Sequence, residues 1–179
     1  MAEPVAVLPV KRIVAILWSD ESILSLAHER LTHLFGPIDF VGTDHLFDAT
    51  TFYDAEMGAP IHRRLISHQT LSHPESIVAD KEATNQIETS LRQQGDRKVN
   101  LDIGYLDLHK VVLASMKPAG QKIHLARGVY ADLTFRFARR GYQPLEWTFL
   151  DLRDGRYQED FLAIRAIYRE QIRQGGILP

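Results

Sequence analysis

The sequence predicts an α+β domain, a mixed or mainly antiparallel sheet with helices packed on it. Three observations carry that prediction. An apolar strand-like run opens the chain and passes straight into an amphipathic helix, strand patterns joined by short turns fill residues 110–137, and a second amphipathic helix closes the chain. At 179 residues the chain is long enough to bury a core and reads as a single domain over 1–179, with 1–9 and 174–179 frayed.

The elements follow in order. Val10 to Leu17 reads as a buried strand through the unbroken apolar run Val14-Ala15-Ile16-Leu17. Ser19 is placed to cap the following helix, and Asp20 and Glu21 suit the positive end of its dipole. Ile23, Leu24, Ala27, Leu31, Leu34 and Phe35 then recur at helical spacing until Gly36-Pro37 stops the helix. Ile38 to Val41 and Arg63 to His68 read as short strands, separated by an irregular stretch from Asp44 to Pro60. Pro74 to Gln94 reads as a helix with the narrow apolar stripe Ala79, Ala83, Ile87 and Leu91. Lys110–Met116, Lys122–Leu125 and Val129–Phe137 form a three-stranded meander, with a hairpin turn at Ala126-Arg127-Gly128. In the last strand Val129, Ala131, Leu133, Phe135 and Phe137 are expected on the core face and Tyr130, Asp132, Thr134 and Arg136 on the polar one. Arg156 to Arg173 is the closing helix, with Phe161, Ile164, Ile167, Tyr168 and Ile172 inward.

Composition narrows the function classes. An apolar content of 45% with 25% charged residues is that of a soluble globular protein. A net charge of −2 speaks against nucleic acid as a partner. The absence of cysteine excludes thiolate metal sites and cysteine nucleophiles. Met1 to Val10 has neither the pattern of a signal peptide nor that of an anchor, so a cytoplasmic location without membrane contact is expected.

Three polar segments hold the candidate site. The run Arg97-Lys98-Val99-Asn100-Leu101-Asp102-Ile103-Gly104-Tyr105 reads as a polar connection between helix and sheet, and such varied polar groups are more than a turn needs. On the middle helix Lys81, Thr84, Asn85 and Glu88 stand at i, i+3, i+4 and i+7, a polar stripe opposite the apolar one. A solvated face is one reading of it, although Thr84 and Asn85 hold a solvated helix poorly. In Phe47 to Gly58, Asp48, Tyr53 and Glu56 offer two carboxylates with a phenol between, suited to acid–base work or to a hard cation, or else a surface loop pinned by its aromatics.

Together these segments resemble a known family. Phe47-Asp48-x-Thr50-x-x-Tyr53-x-x-Glu56-Met57-Gly58, Lys81-x-x-Thr84-Asn85-x-x-Glu88 and Asn100-Leu101-Asp102-x-Gly104-Tyr105 are similar to the prokaryotic domain-of-unknown-function family four-four-one-six. The likeness continues through Val112-Leu113-Ala114, Gly128-Val129-Tyr130-Ala131 and Leu145-x-Trp147-Thr148. It implies one compact domain and no particular activity, and some members carry the label GTP-binding protein. The chain departs from the family pattern at Ile103 (Pro), Phe52 (a second aromatic), Gln121-Lys122 (His-Arg) and Phe149-Leu150-Asp151-Leu152 (Tyr-Pro-Asp-Tyr). A mechanism that needed that histidine as base has none here.

Nucleotide chemistry of the P-loop kind is excluded on the residues. No Gly-x-x-x-x-Gly-Lys-Ser/Thr run exists, and the first strand enters its helix through Leu17-Trp18-Ser19-Asp20 without a glycine. An anion held by Lys81, Arg97, Lys98 and Lys110 stays open. His62, His68 and His73 lack a carboxylate at ligand spacing, so no metal site is expected. No Gly-x-Ser-x-Gly elbow supplies a nucleophile.

Two classes of function follow. In the first, a pocket gathers Tyr53, Glu56, Lys81, Asn85, Glu88, Arg97, Asn100, Asp102 and Tyr105 around a small anionic ligand, a nucleotide-like one included. There Tyr53, Lys81, Asn85, Arg97, Asn100 and Tyr105 bind, and Glu56, Glu88 or Asp102 acts as base or metal ligand. In the second, the same residues form a buried hydrogen-bond network in a non-catalytic structural or interaction domain. Neither reading names a cofactor or an oligomeric state.

Overall fold

The computed structural model describes Glu3 and residues 5–176. The expected frayed ends fall partly outside the described residues. Of those described, Glu3 and residues 5–9 have no regular structure, whereas the C-terminal helix continues through Gln174.

The α+β architecture is as the sequence implies, and every strand pairing is antiparallel. The strands are β1 (Lys11–Trp18), β2 (Ile38–Val41), β3 (His45–Leu46), β4 (His62–His68), β5 (Val99–Leu106), β6 (Lys110–Ser115), β7 (Ile123–Ala126), β8 (Val129–Ala138) and β9 (Gly141–Pro144). The helices are α1 (Glu21–Phe35), α2 (Asp54–Met57), α3 (Ile77–Ser90), α4 (Leu150–Arg153) and α5 (Gln158–Gln174). One open sheet runs β2-β4-β1-β5-β6-β8-β7, with β3 added to β4 and β9 to β8. No helix among the described residues is long and apolar enough to cross a membrane.

β1 is buried along its whole length because it lies in mid-sheet with a layer on each side. Val14, Ile16 and Trp18 face α1 and α3, whose Leu24, Ala27, Leu31, Val78 and Ile87 complete one core. Ile13 and Ala15 face α5 and pack with Phe161, Ile164, Tyr168 and Ile172. A smaller cluster of Leu17, Phe47, Met57 and Ile61 pins the irregular stretch and α2 onto the sheet.

Several local expectations change. The cap of α1 is Asp20, whose carboxylate accepts from the Ser22 and Ile23 amides, while Ser19 donates instead to the Met57 carbonyl. Arg97 to Tyr105 is no connection, because its larger part is the central strand β5, fully paired with β1. The last three long strands are not a simple meander, since β8 lies between β6 and β7. A register shift sets Val111 opposite Phe135 but Val112 opposite Leu133, leaving Thr134 as an extra residue in β8. The bulge reverses the alternation, so Asp132 and Thr134 are buried while Leu133 is exposed. Leu34, expected inward, is also exposed.

The decisive feature is where β5 and β6 part. They pair only at Gly104–Leu106 with Val111–Leu113, next to their tight turn. Beyond Gly104, β6 follows β8 and leaves Val99–Ile103 paired on the β1 side alone. Gly104 permits the last close approach, because a Cβ there would stand 2.1 Å from the Val112 carbonyl oxygen.

Gly104→Ala should therefore destabilise the domain by about 1–3 kcal/mol in urea unfolding, since backbone must move to admit the methyl group. Gly120→Ala, whose Cβ would meet nothing within 4 Å, is the control and should change little.

Candidate functional site

The slit between β5 and β6 opens a cleft of about 570 Å³ that residues from both sides of the sheet line. α3 crosses it and takes over the role of the missing strand. Glu88 Oε1 accepts from the Leu101 amide at 2.6 Å, and Lys81 Nζ donates to the Leu101 carbonyl at 3.2 Å. The polar stripe of α3 is thus not a solvated face. Lys81, Thr84 and Glu88 are buried, and Asn85 reaches across to the Met116 sulfur at 2.9 Å. An unpaired backbone edge within a protein interior demands such partners, and a Lys and a Glu two turns apart supply one donor and one acceptor.

Arg97 organises the near wall. Its Nη2 lies 3.0 Å from Glu56 Oε2, its Nη1 donates to Asn100 Oδ1 at 2.9 Å, and its guanidinium covers the Tyr53 ring at 5.2 Å. Glu88 Oε2 is 3.9 Å from the same guanidinium. A guanidinium only donates, so this contact fixes the Asn100 amide with its Nδ2 pointing elsewhere. That Nδ2 is buried and without a partner among the described residues.

The sequence reading brings most of its residues together. Tyr53, Lys81, Asn85, Glu88, Arg97, Asn100 and Asp102 all line the cleft. Glu56 stands behind Arg97 rather than in the lining, and its backbone carbonyl holds Lys98 at 2.8 Å. Tyr105 is not part of the cleft; it packs against the core on the α1 and α3 side. Asp48 and Glu56 do not form a carboxylate pair, because separate arginines, Arg156 and Arg97, hold them. Lys98 and Lys110, offered as anion ligands, lie outside the lining, and Lys110 is tied to Asp107.

Other residues join them that sequence reasoning missed. Arg63 on β4 is 2% exposed, with its Nε 2.8 Å from Asp151 Oδ2 and its Nη1 3.5 Å from Asp102 Oδ2. The Phe47 ring covers it at 5.2 Å. On the far wall Lys122 Nζ lies 3.4 Å from Asp132 Oδ2 and donates to Ser115 Oγ at 2.9 Å. Asp132 Oδ1 has no partner among the described residues. Phe52, Met116, Phe149 and Leu150 form an exposed apolar rim, with Lys117 across from Phe52 at 5.4 Å. A signal existed for Asp151 and Lys122, which stand beside family-pattern departures, but none for Arg63, an ordinary strand residue in sequence.

His62, His68 and His73 have separate neighbours. His62 stacks on Trp18, His68 Nδ1 meets the Gly36 carbonyl at 2.9 Å, and His73 caps the turn before α3. Among the described residues no three His, Cys, Asp or Glu side chains converge as a metal-binding group.

Burial pushes the carboxyls of Glu88, Asp132 and Asp151 above the ordinary carboxylate value, against the opposing pull of Lys81, Lys122 and Arg63 respectively. Burial likewise raises the Tyr53 phenol. The folded state therefore binds the Glu88 proton more tightly than the unfolded chain does, and its stability falls as pH rises between the ordinary and the raised value.

Two substitutions probe these walls. Glu88→Gln keeps an acceptor for the Leu101 amide and removes the buried charge, so wild type should lose stability relative to it as pH rises through that window. Glu88→Ala leaves the amide unpaired and should cost about 1–3 kcal/mol below that window, the deficit narrowing as pH rises through it, measured by urea unfolding. Arg63→Ala strands the Asp151 carboxylate and should cost about 3–5 kcal/mol, much of it recovered by adding Asp151→Asn.

None of the curated proteins and none of the solved structures compared with the chain matches it. The family model described as Domain of unknown function (DUF4416) matches residues 8–168, a span that holds the whole sheet, all three polar segments and most of α5, and the chain belongs to that family.

Proposed function

We propose that the domain binds a small ligand bearing an anionic group in the β5/β6 cleft, without a P-loop. One observation carries this reading. Among the described residues Asn100 Nδ2 is buried and unpartnered in a side chain of the cleft wall, and beside it on the strand the buried Lys81 ammonium has a single hydrogen bond, to the Leu101 carbonyl. An ammonium has three donors, and buried donors left unpaired are costly unless something occupies the space they face. A ligand oxygen meets that need. The size of the cleft and its mixture of aromatic rim and convergent polar groups fit a site for a small molecule.

The anion is not held at the start of α1. The Asp20 carboxylate already occupies the helix N-terminus and would repel phosphate there. The three carboxyls considered for acid–base work are engaged elsewhere, Glu56 and Asp102 with arginines and Glu88 with the Leu101 amide. Binding is therefore better supported than catalysis by those groups.

A second reading, a structural domain with a closed polar network, draws its support from the Arg63–Asp151 and Arg97–Glu56 pairs. The two are separated by thermal shift with inorganic phosphate, a sugar phosphate, a nucleoside triphosphate and a divalent cation. At a hundredfold excess over its dissociation constant, a ligand stabilises the wild type by about 2.7 kcal/mol, and Lys81→Ala and Asn100→Ala should each reduce that gain. Lys110→Ala should leave it unchanged. Equal stabilisation of wild type and both cleft variants would overturn the proposed site, as would no stabilisation by any of the four.

A further inference from the structure

We infer that the ligand of this cleft is amphoteric: besides its anionic group it carries an N–H or O–H donor, and both are borne on an apolar, ring-sized body. The inference rests on the binding role proposed above and specifies the chemistry of the occupant.

It follows from what the lining side chains leave over once they have satisfied one another. Arg97 is taken by Glu56 and Asn100, and Arg63 by Asp151 and Asp102. Lys122 is taken by Asp132 and Ser115. Arg63 Nε and Nη1 and Arg97 Nε also lack a hydrogen-bond partner among the described residues, but both guanidiniums stand against carboxylates; the lining donors with no carboxylate within ion-pair distance are the Asn100 Nδ2 and the unused ammonium hydrogens of Lys81. Lys117 at the mouth has the Phe52 ring across from it.

On the opposite wall the remainder has the other sign. Asp132, a lining residue, is 4% exposed; its Oδ2 faces Lys122 and its buried Oδ1 has no partner among the described residues, and Asp151 Oδ1, beside the Arg63 ion pair, is likewise unpartnered. Asn100 is 6% exposed, so the open atoms of Asn100 and Asp132 belong to side chains more than nine-tenths buried. A ligand that is only an anion would satisfy Asn100 and Lys81 but set its charge or its bare surface against the Asp132 oxygen. A ligand that is only a cation would leave Asn100 and Lys81 unmet. A buried acceptor without a donor costs as much as a lost hydrogen bond, so the occupant that matches both walls carries both groups.

The body of the ligand follows from the rim. Phe52, Met116, Phe149 and Leu150 are all exposed at the cleft. Apolar side chains gathered at the mouth of a polar cavity gain by covering an apolar group, and ring faces gain further from stacking.

The test uses matched probes in isothermal titration. L-Phenylalanine and tyramine phosphate carry one anionic group, a donor and a ring, whereas 3-phenylpropionate and phenyl phosphate lack the donor. The first pair should bind about tenfold or more tightly than the second, the worth of one hydrogen bond to a charged acceptor. Asp132→Asn, checked for an unchanged fold by circular dichroism, should shrink that preference to about twofold or less, as its amide can turn a donor toward the cleft. Asn100→Ala should weaken all four probes and leave the preference standing. Whichever of the two donor-bearing probes binds more tightly shows whether the anion is a carboxylate or a phosphate. Donor-lacking probes that bind as well as their partners, or a preference that survives Asp132→Asn, would overturn the amphoteric ligand while leaving the anion site intact. Failure of all four probes to bind would overturn both.

Discussion

The structure depends on a strand that loses its neighbour. β5 sits in the middle of the sheet, yet between Val99 and Ile103 it has a partner on one side only, because β6 stays with β8 instead. An exposed backbone edge in mid-sheet would invite water or another strand into the core. α3 prevents this through Glu88 and Lys81, which accept from and donate to Leu101 as a neighbouring strand would. The same substitution of side chains for a strand leaves open space beside them, and that space is the cleft. Fold and site are therefore one problem, solved by two residues on one helix face.

The charges around the cleft are arranged in closed groups rather than spread as a field. Arg63 with Asp151 and Asp102, Arg97 with Glu56 and Glu88, and Lys122 with Asp132 each bring opposite charges together. Burying an arginine such as Arg63 is tolerable only with a carboxylate beside it and an aromatic face against it. These groups hold α2, α4 and the irregular stretch after β3 against the slit, so the aromatic rim stands at a defined distance from the polar floor.

Family membership and geometry meet at the same positions. The three segments that carry the family pattern supply Tyr53 from the loop, Lys81, Asn85 and Glu88 from α3, and Asn100 and Asp102 from β5, all on one cleft. Gly104 belongs to the same segment but acts through absence of a side chain, at the place where β5 and β6 make their last close contact. Tyr105, three residues beyond Asp102 and so on the opposite strand face, turns to the other core.

Periodicity alone determined the α+β class, the strand–helix opening, the first and last long helices with most of their buried faces, and the hairpin at Arg127-Gly128, because each is set by local burial and backbone preference. It also marked the polar residues of α3 and β5 as unusual, since Thr and Asn are poor choices for a solvated helix. Only the tertiary structure decided that these residues face inward. The helical wheel of α3 shows two stripes, and which one meets the sheet depends on β6 departing from β5, a pairing between distant segments that no local pattern records. The bulge at Thr134, which sends Asp132 to the cleft and Leu133 to the surface, is of the same kind. Arg63 reads as an unremarkable strand residue until Asp151, eighty-eight positions later, is brought against it. Alternation and amphipathicity are properties of a few neighbouring residues, whereas a cleft is made by where distant strands stop pairing, and that is settled only when the whole sheet is assembled.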